Sequence, residues 1–130
     1  MIADTTFLID LMRGDESAVK KETMLEENGT SVYITTVSVF ELYVGLNLSN
    51  KRIHESMKIE RVLRNLQILG LDFESAKEAG EIYAYKRRSG IVIDPEDAMI
   101  AGICRTARQP ILTRNINHFS GIEGVSLESY

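Results

Sequence analysis

Apolar positions along this chain recur at two spacings. Short unbroken apolar runs lie at residues 1–3, around Val32-Tyr33-Ile34 within 31–35, at 67–70, at 110–113 and at 124–127, and each predicts a strand. Between them the spacing lengthens to that of a helix. Phe7, Leu8, Leu11 and Met12 share a face after Thr5-Thr6, which can cap it, and Gly14 ends that helix. Asp15 caps a second helix, closed by Asn28-Gly29. Ser38 starts a third, with Val39, Leu42, Tyr43 and Leu46 as its apolar stripe and Glu41 at capping-box distance. Residues 51–66 form a fourth, and Asp72 caps a fifth that runs to about Ser89. Finally the β-branched run Ile91-Val92-Ile93 delivers Asp94 and then Pro95, a residue suited to the first position of a helix. In that last helix Ile100, Ile103, Cys104 and Ala107 make one apolar stripe. Alternating strands and helices predict an α/β fold, a three-layer sandwich around a mainly parallel sheet, with residues 1–130 as a single domain.

Composition narrows the function. The chain has 130 residues, 44% hydrophobic and 26% charged, with a net charge of −4. A protein that holds nucleic acid by overall charge is basic, so any such role here needs local basic patches or metal ions. The one cysteine, Cys104, lies on an apolar helix face and is expected in the core. No run approaches the ~20 apolar residues of a membrane span, and the start has no signal-like pattern, so a cytoplasmic protein is expected.

The candidate chemistry is acidic. In open parallel sheets, sites lie beyond the carboxyl ends of the strands. Asp4 ends the first strand, and Glu41 sits in the first turn of the helix after the second. Asp97 sits in the first turn of the helix after the Ile91–Ile93 run, and Asn115 follows residues 110–113. Each has a local explanation: Asp4 and Asp94 as N-caps, Glu41 as a capping-box acid, Asp97 as a macrodipole acid, Asn115 as a turn former. Three acids at one edge repel, however. Two charges ~4 Å apart at an effective dielectric of 20 interact by about 4 kcal/mol. A cation would relieve this. With no histidine or cysteine at ligand spacing, an all-oxygen set within reach of one ion suits Mg²⁺ or Mn²⁺, the equipment of phosphodiester hydrolysis.

These stretches resemble a known family. Met1-Ile2-Ala3-Asp4-Thr5-Thr6-Phe7-Leu8-Ile9 resembles the opening of PIN-domain nucleases, and Thr36 to Leu42 their second acidic motif. Asp97-Ala98-Met99-Ile100-Ala101 is similar to the third, and Leu112-Thr113-Arg114-Asn115 through Phe119 to the fourth. The order covers nearly the whole chain, whose size resembles the toxin subunit of VapBC-type toxin–antitoxin pairs. The resemblance implies a Mg²⁺- or Mn²⁺-dependent endoribonuclease that cleaves RNA, is silenced by a small antitoxin and is usually dimeric. It makes Asp4, Glu41 and Asp97 the catalytic, metal-binding triad. The chain departs from the family pattern at Asn115 and His118, where many members carry acids; Asp94 is an additional acid that could supply the missing charge.

Around this core reading, Arg114 is a candidate substrate contact. Lys86-Arg87-Arg88 are expected to offset a helix C-terminus, and His54 and His118 to lie on the surface or in loops. Met24, Leu25, Tyr43 and Met57, placed on outer helix sides, point to self-association as a homodimer or higher. A non-catalytic PIN-like module that binds RNA or a partner is the alternative, supported by Asn115. An aspartyl-phosphate enzyme fits poorly, because Thr6 stands where a second acid is favoured.

Overall fold

The computed structural model describes residues 1–130. In chain order its elements are β1 (Ile2–Ala3), α1 (Thr5–Arg13), α2 (Glu16–Glu27), β2 (Tyr33–Thr35), α3 (Thr36–Leu48), α4 (Arg52–Leu63) and β3 (Gln67–Leu69). Then come α5 (Phe73–Arg88), α6 (Pro95–Ala107), β4 (Ile111–Leu112), α7 (Ile116–Phe119) and β5 (Leu127–Glu128). All strand pairs are parallel, in the order β3-β2-β1-β4-β5. Strand β1 is therefore central, and the order turns back on itself between β1 and β4. The expected α/β sandwich with a parallel sheet is what forms.

Side chains alternate across the sheet with the two-residue period of a strand. Ile2 pairs in register with Ile111, and both enter the core that also holds Ile82, Ile100, Ile103 and Phe119. Ala3 pairs with Leu112, and both enter the opposite core with Phe7, Leu8, Leu25 and Ile59. One helical layer thus contains α5, α6 and α7, and the other contains α1, α2 and α4. Helix α3 contributes to both cores, through Val37 and Leu42. Cys104 is 1% exposed within the first core, and burial pushes its thiol well above the usual range. It is a packing residue, as expected.

Local signals explain most boundaries. Asp4, Asp15 and Asp72 each cap a helix through the side chain, and Gly14 closes α1 at φ 72°. Asp72 and Ser75 complete a reciprocal capping box. Two expectations fail, at the start of α3 and at Asp94, and the β-branched run before α6 stays irregular. Helix α3 begins at Thr36, because the Thr35 hydroxyl accepts from the Ser38 N–H and takes the capping role. Residues 91–93 form no strand: Val92 is 93% exposed, and only Ile93 reaches the core. Asp94 occupies the N-cap position of α6, but its side chain makes no capping bond.

Helices α5 and α6 pack closest at Gly102. A Cβ there would meet the Ser75 carbonyl oxygen at 2.5 Å and the Ala79 nitrogen at 2.7 Å, both rigid backbone. Gly102→Ala should therefore lower stability by about 1–3 kcal/mol, the usual range for overpacking. Gly80→Ala is the opposing control. No atom lies within 4 Å of the Cβ it would add, and the helix-propensity gain is about 0.8–1 kcal/mol. Thermal unfolding should move Tm down for the first and up for the second.

Candidate active site

The carboxyl ends of β1, β2 and β4 open at the point where strand order reverses, and the acids gather there. Asp4 leaves β1 and caps α1, only 3% exposed. Its Oδ1 accepts from the Thr5 N–H at 2.7 Å. Its Oδ2 accepts from the Thr6 hydroxyl at 2.8 Å and the Thr113 hydroxyl at 2.9 Å. Thr113 in turn accepts from the Asn115 N–H at 2.9 Å. Asp4 is thus tied to both α1 and the turn after β4, which fixes its direction.

Glu41 lies in the second turn of α3, not the first, because that helix starts early. It forms no capping box. Its Oε1 accepts from the Thr5 hydroxyl at 2.6 Å. With its one proton on that carboxylate, Thr5 Oγ1 is left to accept from Ser38 Oγ, 3.0 Å away. Asp97 is in the first turn of α6, as expected, and its Oδ2 lies 2.9 Å from His118 Nδ1. His118 is exposed, yet its ring faces the acid.

Burial is the first cause that raises the Glu41 and Asp97 carboxyls above their ordinary values. The Thr5 bond opposes it at Glu41, and the His118 bond at Asp97. The negative charges add to the rise: Asp4, Asp97 and Glu96 at Glu41, and Asp4 and Asp94 at Asp97. All five acids therefore share one field. The expected closure within one ion's reach is not what forms, since no three acid, histidine or cysteine side chains stand close enough to hold an ion. In chemistry the donors still fit a hard divalent cation: they are oxygens, desolvated and mutually repelling.

The neighbours divide clearly. Asn115 caps α7 through its backbone position, and its side chain makes no capping bond. Arg114, the candidate substrate contact, is engaged by two other acids. Its guanidinium pairs with Asp15 at 2.8 Å and Asp10 at 3.3 Å and stacks on Tyr130, 4.8 Å from the ring centre. Lys86 is 3% exposed and donates to the Ser120 carbonyl, so it is not a solvated cation at a helix end. Thr5, Thr6, Ser38, Thr113 and His118 are the site residues that sequence reasoning left out. The signal was their adjacency to the acidic motifs, and hydroxyls beside a strand end read equally well as caps.

A family model of the PIN domain matches residues 1–124. The chain belongs to the PIN-domain family. It is 27% identical over 127 residues to the tRNA(fMet)-specific endonuclease VapC of Shigella flexneri, covering 98% of this chain and 95% of that one. It is 30% identical over 136 residues to ribonuclease VapC1 of Rickettsia felis, covering 98% and 93%. In fold it resembles the crystal structure of VapBC2 from Rickettsia felis bound to a DNA fragment from their promoter. The TM-score is 0.91 at 22% identity, covering 99% of this chain and 97% of that one.

The raised carboxyls carry a sign that can be measured. An acid whose folded value is raised withholds stability at neutral pH and returns it as pH falls through the folded value. In chelator, Glu41→Gln should melt above wild type near neutral pH. The gap should close as pH falls through the raised folded value and be gone below 4.5, the ordinary value of the glutamate. A variant that melts lower at neutral pH would show that Glu41 is held by favourable contacts instead.

Proposed function

We propose that this chain is a divalent-metal-dependent endoribonuclease, the toxin half of a VapBC-type pair. One observation carries the reading: Asp4, Glu41 and Asp97 come from three separate elements and meet in one field at the strand-order reversal. Its relatives' names, endonuclease and ribonuclease, support it.

Asp4, Asp97 and Glu41 would hold Mg²⁺ or Mn²⁺, with the Asn115 side-chain carbonyl and Asp94 as supporting oxygens. When bound, the ion supplies a more acidic water and neutralises charge on the phosphate. The chain supplies the rest. Asp4, locked by three hydrogen bonds, gives a ligand of fixed direction. The raised proton affinity of Glu41 suits it to orient a water and draw on its proton. Because Arg114 is engaged by Asp10 and Asp15, it reaches RNA only by giving up those pairs.

A small antitoxin is the proposed silencing partner, and a second copy of the chain the proposed assembly. Helix α3 carries an outer stripe of Phe40, Tyr43, Val44 and Leu48, which are 58%, 42%, 42% and 82% exposed. Met24 and Met57 are also exposed, but Leu25 is 3% exposed and belongs to the core. Leu48→Glu should shift sedimentation toward monomer without lowering Tm. A wild-type chain that sediments as a monomer at high micromolar concentration would remove this part of the reading.

Asp97→Asn is the test of catalysis. It should abolish Mn²⁺-dependent cleavage of a structured RNA and the rise in Tm on adding Mn²⁺. Its Tm in chelator should hold or increase, because one charge leaves a repelling cluster. Were Asp97 only a macrodipole acid, the variant would lose about 0.3–1 kcal/mol of stability and cleave normally. Asp94→Asn, whose side chain caps nothing and keeps one oxygen for a supporting role, is the comparison and should lower cleavage far less than Asp97→Asn. If the wild type binds RNA but never cleaves it, the non-catalytic module is the correct reading.

A further inference from the structure

Resting on the nuclease reading, we propose that Lys86 is a positioning residue that holds α7, and with it Asn115 and His118, against the acidic site. A lysine 3% exposed is unusual, since removing an ammonium from water is costly unless it is well partnered. Its location explains its use. The Lys86 Nζ reaches across from the last turn of α5 to the carbonyl of Ser120, the residue that closes α7, at 2.5 Å.

Helix α7 has four residues, far too few to hold its own shape. It is fastened at three points. The Thr113 hydroxyl accepts the Asn115 N–H at its start, and Phe119 is 1% exposed in the core. Lys86 fastens its end. The His118 ring, between these anchors, sits 2.9 Å from Asp97. Phe119 resists withdrawal of the helix but does little to prevent rotation about its own ring. The two terminal bonds hold the helix backbone against rotation, which would move both Asn115 and His118 relative to Asp97 and break the His118–Asp97 contact. The cation does not touch the acids, so its effect passes entirely through the α7 backbone.

The test uses the full chain and two substitutions. Lys86→Met removes the donor and keeps an apolar stem. Lys86→Arg keeps charge and donors, and a cavity of about 150 Å³ beside the ammonium gives the larger head room. Lys86→Met should keep or raise Tm, because an apolar side chain replaces a buried charge. With Mn²⁺ and a structured RNA, kcat should fall roughly 10- to 100-fold, the scale of an ångström-level misplacement. KM should stay within about twofold, and Lys86→Arg should recover most of kcat. By hydrogen exchange, the His118 and Ser120 amides should lose protection in Lys86→Met, while β1 and α6 keep theirs.

Wild-type kcat and unchanged α7 exchange in Lys86→Met would overturn the proposal. So would a loss of protection spread evenly over the chain, which would make Lys86 an ordinary core residue. If the wild type cleaves no RNA, the nuclease reading fails. The exchange pattern of α7 then decides the clamp by itself.

Discussion

The structure depends on a buried negative charge at the end of its central strand. Asp4 is 3% exposed, and an isolated carboxylate placed there would cost far more than a typical fold can spare. It is tolerable because three donors converge on it: the first N–H of α1, the Thr6 hydroxyl and the Thr113 hydroxyl. The same bonds join the first helix to the turn after β4, 109 residues further along the chain. Satisfying one charge therefore fixes where β1, α1 and β4 end relative to one another. The strand-order reversal is built around that requirement, and the other acids are presented to the space that it leaves open.

Much of this was legible in the sequence because local and global signals agree. Asp15, Asp72 and Gly14 do what their positions predict, and the two-residue alternation of Ile2-Ala3 and Ile111-Leu112 sends each side chain to the expected face. The failures share a cause: local rules were applied where tertiary partners decide. Ser38 and Glu41 have capping-box spacing, but Thr35 was one turn earlier, and Thr5 from another helix claimed the glutamate. Ile91-Val92-Ile93 has strand composition, but no neighbouring strand lies beside it. Lys86 looked like a solvated helix-end cation because its acceptor is a backbone carbonyl, which has no sequence signature. Arg114 adjoins the site in sequence, but Asp10 and Asp15 compete for it more closely in space.

One histidine contact and three hydroxyl contacts hold the acids in place. Each of the three carboxylates is engaged by its neighbours: Asp4 accepts from two threonine hydroxyls and the Thr5 N–H, Glu41 accepts from the Thr5 hydroxyl, and Asp97 is bonded to His118. Hydrogen bonding of this kind lowers the repulsion that would otherwise push the strand ends apart. It also leaves one oxygen of Glu41 and one of Asp97 outside the bonds described, and these are the atoms free to turn toward an incoming ion.

Helix α3 links this site to the surface. It is apolar nearly all round: Val37 and Leu42 fill the two cores, Glu41 projects to the acids, and Phe40, Val44 and Leu48 face solvent. A helix with apolar residues on every side is normally covered on every side. Its inner faces are set by the sheet, and its outer stripe begins beside the residue that carries Glu41. Phe40 of that stripe is the chain neighbour of Glu41. One short helix therefore joins an exposed apolar stripe to the Glu41 carboxylate.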